Sequence, residues 1–413
     1  MENKTDFYGI VNLTSPIVLP TKYSDFKKTG RDKWIKFGND NLFPQAIAQI
    51  NRSSPVHRGI INNKVTYTLG NGIRLNDKPI TLLNSKGHDL DIIAKRIILD
   101  YYSFGNAWIE VITDSRRTFT SLYHIDSTTV RISKEKDSVW IHPRWSEYNS
   151  TKDKLRNIVL YPKFEPVLNY EGEKTTKDKY LHSIVHISTY EPEFYYYGVP
   201  QWIAAMNAAT IAYKTDKWNL SRLDNSFLSS GVLNIVAPGA STEEIAQMKK
   251  EFEKTMTGEG NQGKVFVMIT EPGEGNNTTY TPVSSPSEAD WIQMTNQTVD
   301  TLITAHNWYR SLSGISDNTG FDTKRILQEY EVANNTIINE TQNLILNTFE
   351  NILRLDGLEF KQKQPVSLFG LLDANKFITI GEARRLAGLD ELEDENINKK
   401  FVSDGTNNST TGN

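Results

Sequence analysis

His182 and His186 are the residues of this chain best spaced for chemistry. At four residues apart, two imidazoles on a helix share one face, and with Glu191 and Glu193 nearby they would suit zinc or manganese. The surrounding run, His182 to Thr189, is rich in β-branched residues, however, and reads as a strand. Alternation then still puts both rings on one face, but not in a metal-binding helix. A structural pair of histidines is the plainer reading, and a metal-dependent enzyme stays as an alternative. A second pattern, Gly258-Glu259-Gly260-Asn261-Gln262-Gly263, satisfies GxGxxG, yet it follows a helical stretch and precedes a strand. A dinucleotide site needs the opposite order, because the helix N-terminus must face the pyrophosphate. A flexible turn is the better account. There is no GxxxxGK[ST] and no GxSxG. Cysteine is absent, which removes disulfides, thiolate zinc ligands and thiol nucleophiles together. The acid pairs Glu243/Glu244 and Glu391/Glu393 read as solvated helix faces. No catalytic residue, metal or cofactor is assigned, and an enzyme is not expected.

The elements around these residues are more informative. Trp202 to Leu228 contains neither Pro nor Gly, and its apolar residues recur at steps of three and four, which predicts one long helix. An insert follows: strand Gly231–Val236, helix Thr242–Met256 and strand Lys264–Ile269. A second helix is expected over Ser287–Tyr309 and a third over Phe321–Leu353, with Asp356 and Gly357 marking its end. At about 1.5 Å per residue, the first would reach roughly 40 Å and the third nearly 50 Å. Helices that long need neighbours to cover them, which points to an assembly.

Before this region the sequence is mixed. Asn41 to Gly70 is helical in pattern, with Pro44 suited to a first turn, and His88 to Tyr102 carries the stripe Leu90, Ile92, Ile93, Ile97 and Leu99. The period then falls to two over Ala107–Thr113, Ser121–His124, Thr129–Ser133, Val139–His142, Asn157–Tyr161 and Ser183–Ser188, all expected strands. Glu147–Lys154 and Tyr170–Lys179 read as loops. After Pro365 a small helical pair is expected, Leu371–Lys376 and Gly381–Leu386, with Thr379 capping the second. The final stretch, ending in SDGTNNSTTGN, has little to bury and is expected to be disordered.

Bulk properties narrow the class. The 413 residues suit two or three modules, and the net charge of −4 with a pI near 6.0 offers no global basic field for nucleic acid. Any DNA contact is therefore local, weak or imposed by enclosing geometry. No apolar run approaches the ~20 residues of a membrane span, and the N-terminus lacks a secretory pattern. A soluble intracellular protein, with no membrane partner, is expected.

The order and wording of the segments resemble the portal proteins of tailed bacteriophages, in the HK97-like branch. The resemblance begins at Ser54–Leu75 and runs through Ser103-Phe104-Gly105-Asn106-Ala107-Trp108-Ile109-Glu110-Val111 and Leu122 to Ile132. It continues in Ile184-Val185-His186-Ile187-Ser188, Tyr197-Gly198-Val199-Pro200, Ser230-Gly231-Val232-Leu233, Lys264 to Met268 and Ser311-Leu312-Ser313-Gly314-Ile315. It ends in Ile378 to Leu389, similar to the family's T-x-NEAR…GL element. One departure is Trp308-Tyr309-Arg310, where the family usually has Pro before its LxG element; it leaves the local loop shape open.

The resemblance implies an α+β portal fold: an α/β wing, paired long stem helices, a small α/β clip, a long helix after a tunnel loop, and a small helical crown. In this chain the wing would be 1–199 and 322–360, the stem helices 200–228 and 287–310, and the clip 229–286. The tunnel loop would be 311–321, the crown 361–400 and the tail 401–413. The loop residues are Ser311, Leu312, Ser313, Gly314, Ile315, Ser316, Asp317, Asn318, Thr319, Gly320 and Phe321. Lys214, Lys217 and Arg222 would meet DNA phosphates, with a solvated or subunit-pairing face as the alternative. Trp202, Trp218, Gly231, Leu233 and Trp291 would serve subunit or clip contacts, against an intrachain core for the tryptophans. The implied partners are further copies in a ring of roughly twelve, double-stranded DNA without base readout, the terminase large subunit, a head–tail adaptor and the major capsid protein. The implied location is the capsid portal vertex, after assembly in the host bacterial cytoplasm. Another head–tail connector ring component is the nearest alternative.

Overall fold

Central to the molecule is a strand buried on both faces, β3 (Asn106–Asp114). The structure is a computed structural model. It describes residues 33–80, 84–114, 116, 120–167, 180–224, 231–236, 247, 266–270, 279–282, 288–315, 323–363, 365 and 379–386. The side chains of 217–224, of the strands between 231 and 282 (Thr279 excepted), and of 288–291, 383, 385 and 386 also lie outside that description.

Two helices open the described chain, α1 (Phe43–Ser53) and α2 (Pro55–Leu69), where the sequence pattern predicted one. The break is local chemistry. Pro55 forces the preceding Ser54 out of the α region, to φ −107° and ψ 109°, and itself starts the next helix. Next come the short strands β1 (Ile73–Leu75) and β2 (Lys78–Pro79), then α3 (Leu90–Phe104). Asp89 caps α3 by accepting from the Ile92 N–H at 2.8 Å, and Gly105 ends it in the left-handed conformation.

The strands β3, β4 (Thr120–Ile125), β8 (Glu165–Pro166) and β9 (Tyr180–Ser188) form an antiparallel sheet in the order β4-β3-β9-β8. A second sheet holds β5 (Val130–Ile132), β6 (Ser138–Ile141) and β7 (Arg156–Val159), extended by the Trp34–Ser133 bridge. Alternation along β3 explains its double burial. Ile109 and Val111 enter an apolar cluster with α2 and α3, while Trp108 enters another with Val130, Ile132, Val139 and Ile158 of the second sheet.

After β9 the chain makes a 3-10 turn, Gln201–Ala205, and enters α4 (Met206–Asp224). The expected helix thus starts as a tighter coil, a common way for a helix to begin, and 225–228 lie outside the described residues. The insert contains β10 (Gly231–Val236), β11 (Phe266–Thr270) and an unanticipated third strand, β12 (Thr279–Pro282). β10 pairs with β11 in parallel and with β12 antiparallel. A parallel pair needs a long crossover, here 237–265. The predicted helix Thr242–Met256, apart from Gln247, and the Gly258–Gly263 turn fall on that crossover, outside the described residues.

The chain returns along α5 (Glu288–Ala305), shorter than predicted because a turn begins at His306. The expected third helix is continuous in course but changes register: α6 (Thr323–Ala333), a π-helical stretch Asn334–Ile338, then α7 (Asn339–Leu353). It ends at Arg354, left-handed at φ 56°, ahead of Gly357. Ile345 and Phe349 of α7 pack with Ile61 and Ile97, and β13 (Leu358–Phe360) pairs with β1. The C-terminal helix is therefore part of the same core as the first strands. The last described helix, α8 (Ile380–Leu386), has the expected cap: Thr379 Oγ1 accepts from Glu382 N–H at 3.3 Å while the Glu382 carboxylate accepts from Thr379 N–H at 3.0 Å. The expected Leu371–Lys376 helix, the Tyr170–Lys179 loop, residues 1–32 and the 401–413 tail lie outside the described residues. The fold is α+β.

Candidate functional site

The paired histidines sit on one face of β9, as alternation requires, but each is engaged by its own neighbours. His186 is opposite Trp108 in register and stacks on it, ring centroids 3.8 Å apart. Its Nε2 donates to Asn106 Oδ1 at 2.9 Å, and burial with the Lys136 charge lowers its pKa to about 3. His182 lies diagonal to Glu110, with Nδ1 3.3 Å from Glu110 Oε1 and Nε2 3.3 Å from Glu165 Oε1. Arg156 closes the other side of Glu110. Burial pushes the Glu110 carboxyl up, but the His182 hydrogen bond and the Arg156 charge outweigh it and leave it below the ordinary range. Glu191 and Glu193 face solvent. Among the described residues no group of three His, Cys, Asp or Glu side chains is placed to hold a metal.

Asn106 is wholly buried and organises the neighbouring chain crossing. Its Nδ2 donates to Phe104 O at 2.9 Å and Gly198 O at 2.8 Å, and its Oδ1 accepts from Gly198 N–H at 2.8 Å. Gly105 and Gly198 meet there. A Cβ on Gly198 would stand 2.1 Å from Gly105 O. The Gly105-Asn106 and Gly198-Val199-Pro200 motifs, far apart in sequence, are two halves of one clasp. The sequence carried both halves, but no spacing rule joins them.

The clasp sets the exit direction of the hairpin α4–α5. At the hairpin's root, Ala205, Ala208, Ala209 and Leu302 are buried against Ile60, Trp308, Leu312, Tyr330 and Ile337. Three alanines let the two helices approach closely. A groove of about 1010 Å³ runs along α5 between Ala204, Ile292, Asn296, Asp300 and Thr304. Ile292 is 57% exposed there and Ile211 on α4 is 41% exposed. Lys214 shares the exposed stripe of Asn207 and Ile211.

Several expected site residues land elsewhere. Trp202 is 1% exposed, in the chain's own core, with its Nε1 donating to Tyr102 O at 3.1 Å. Its spacing on a long apolar face could not separate the two fates. Ser311–Ser313 form a 3-10 turn closed by left-handed Gly314, and Leu312 is 3% exposed, packed in the chain's own root core. Ser311 and Arg325 both bond Glu329, which ties the turn to α6. Ile315 is the last described residue of this turn, and Ser316, Asp317, Asn318, Thr319, Gly320 and Phe321 lie outside the described residues. Lys217, Trp218 and Arg222 are on α4, Trp291 on α5, and Gly231 and Leu233 on β10; their side chains are outside the description.

A body of three small sheets and a helix layer, with a helical hairpin that carries a small mixed sheet, is the architecture of a structural protein of the portal type. The family model described as Phage portal protein matches residues 85–360, and the chain belongs to that family. Among solved structures, one described as the neck of an empty GTA particle computed with C6 symmetry has a TM-score of 0.50 at 14% identity, over 90% of this chain and 100% of that one. The virion of a native gene transfer agent (GTA) particle gives 0.49 at 14% identity, over 89% and 98%. An HK97 family phage portal protein from Corynebacterium diphtheriae gives 0.42 at 11% identity, over 76% and 94%. No curated protein matches the chain. Among the described residues, no helix is long and apolar enough to cross a membrane.

Proposed function

We propose that copies of this chain close into a ring at one vertex of a phage capsid, and that double-stranded DNA passes through the ring's axis during packaging and ejection. The observation that carries this reading is the portal family match over residues 85–360, which takes in most of the body and the whole hairpin. The neck of another particle, the GTA, has been computed with C6 symmetry, which supports assembly as a ring here; about twelve copies is the number proposed. In this reading α4 and α5 are the stem, the β10–β12 insert is the clip, and the body with α6–α7 is the wing, in the HK97-like manner. The described remnant around α8 belongs to the crown.

A channel must hold DNA without gripping it. Phosphate affinity scales with the number of neutralised charges, and base readout needs Arg or Asn fixed at base edges. A chain of net charge −4 with a loop of Ser, Gly, Asn, Thr and Asp317 suits passage rather than recognition. Lys214, with Lys217 and Arg222 farther along α4, would supply the few phosphate contacts. The α5 groove, with exposed Ile292 at its edge, would receive a neighbouring copy, joined by Trp218 and Trp291 and, at the clip, Gly231 and Leu233. The ring would dock the terminase large subunit and a head–tail adaptor and sit within the major capsid protein shell, assembled in the bacterial cytoplasm and retained in the virion.

Electron-microscopy class averages of the purified protein, with a solution mass, test the reading. Closed rings of about twelve copies with an opening of roughly 20 Å or more are expected. A stable assembly without an axial opening would refute it, and rings of clearly narrower bore would favour a connector of another kind.

A further inference from the structure

The end of α5 is joined to the body by a buried polar chain that the channel reading does not use. His306, 2% exposed, follows the last turn of α5, and its Nε2 is 2.8 Å from His57 Nδ1 on α2. His57 is wholly buried and places its Nε2 2.6 Å from Asn51 Oδ1 on α1. An amide oxygen only accepts, so His57 carries its proton on Nε2 and accepts at Nδ1, and His306 donates from Nε2. The pair is satisfied as two neutral rings. One added proton is accommodated by moving the His306 proton to Nδ1, but a second sets N–H against N–H across 2.8 Å.

Nothing nearby welcomes that charge. Arg58 acts on His57, and Lys64 acts on His306; both are cations. Lys64 is fully buried on α2, donates from Nζ to His306 O at 3.1 Å and lies over the Tyr102 ring at 4.5 Å. Trp202, from the turn before α4, meets the edge of His57 with centroids 4.2 Å apart and stacks on His306. Tyr101, Thr189 and Gln201 complete the lining of the small void beside them, and no carboxylate is among its lining residues.

We propose that this chain of side chains is an acid-released latch: with both imidazoles neutral it fixes the end of α5 and the turn after it against α1 and α2, and proton uptake at His57 and His306 frees that joint while the rest of the body stays closed. The joint belongs to the single chain and stands whether or not the chain closes into a ring. Burial and the neighbouring cations hold His57 down at about 3 and His306 well below its ordinary value, so the closed latch excludes protons that the open one takes up. A depressed imidazole contributes fully above about pH 6.5 and loses that contribution as pH falls toward its closed-state value.

Hydrogen exchange of the full chain, read by mass spectrometry from pH 7.5 to 4.5 with intrinsic rates divided out, tests the latch. Protection over residues 302–312 is expected to fall about tenfold per pH unit below 6.5 for one proton taken up, and up to about 100-fold for two. His306→Gln should reduce that slope by about tenfold per unit, and His186→Gln, at an imidazole outside this polar chain, should leave it unchanged. A flat profile over 302–312, or a fall shared equally by α3, overturns the proposal. Should His306→Gln fail to fold, the unmodified chain's profile decides alone.

Discussion

Replacing Asn106 should cost more than any other single polar residue in the body. Asn106→Ala removes an amide that is 0% exposed and makes four hydrogen bonds, to Phe104 O, Gly198 O, Gly198 N–H and His186 Nε2. A buried group left without its partner costs about 1–3 kcal/mol. Four orphans would exceed about 4 kcal/mol if the space stayed dry. A water entering the void has enough polar partners to recover part of this. A net loss of about 3–5 kcal/mol is therefore expected, against a total stability on the order of 5–15 kcal/mol. Asn106→Asp is the sharper probe. It keeps shape and one acceptor but turns the two-donor edge into an oxygen facing two carbonyls. At pH 7 it should be less stable than the alanine variant, and the gap should close in acid as the new carboxyl gains a proton to donate. Denaturant unfolding followed by fluorescence, with Trp108 and Trp202 close to the clasp, gives both numbers from midpoints at constant slope. A loss below about 1 kcal/mol for Ala, or an Asp variant as stable as the Ala variant at pH 7, would refute the clasp.

Glycine positions provide a paired comparison. Gly198→Ala should lose about 3 kcal/mol or more because its Cβ would meet Gly105 O at 2.1 Å, whereas Gly59→Ala, in α2 with nothing within 4 Å, should gain about 0.5–1 kcal/mol in the same unfolding assay. Phe349→Ala empties a 0% exposed site between α7 and the body, with an expected loss of about 3–5 kcal/mol by thermal or denaturant unfolding. Burial lowers the Lys64 pKa to about 7, so the native chain excludes a proton that the unfolded chain binds between that value and about 10.5. Stability should fall as pH drops from about 10.5 to 7 and be indifferent to Lys64 below that. Lys64→Met should flatten that limb and raise stability at pH 7 by about 1–3 kcal/mol; an unchanged slope between pH 7 and 10 would contradict the assignment.

The elements legible in the sequence were those with a period and a punctuation mark. α3, expected over His88–Tyr102, runs two residues later at each end, and the strand β3 was seen to within one residue at each end, because burial on one stripe or on alternate residues leaves a repeating trace. The hairpin and its insert were legible as an order of helix, strands and helix, and the portal motifs gave that order a meaning. The short strands β1, β2, β8, β12 and β13 were not anticipated, although β5, β6 and β7, of three to four residues, were. The π-helical stretch at Asn334–Ile338 and the 3-10 turn at Ser311–Ser313 left no compositional sign either.

By itself the sequence determined the fold class, the absence of thiol chemistry and the family, since local propensity, periodicity and ordered motifs are properties of neighbours along the chain. It also placed His182 and His186 on one strand face. Tertiary structure alone decided what those rings do, that Trp202 and Leu312 turn into the core, and that Asn106 joins Gly105 to Gly198. It brought His57 beside His306, 249 residues away. Such contacts depend on which faces meet when helices and sheets pack, and packing brings together residues whose separation along the chain carries no period to read.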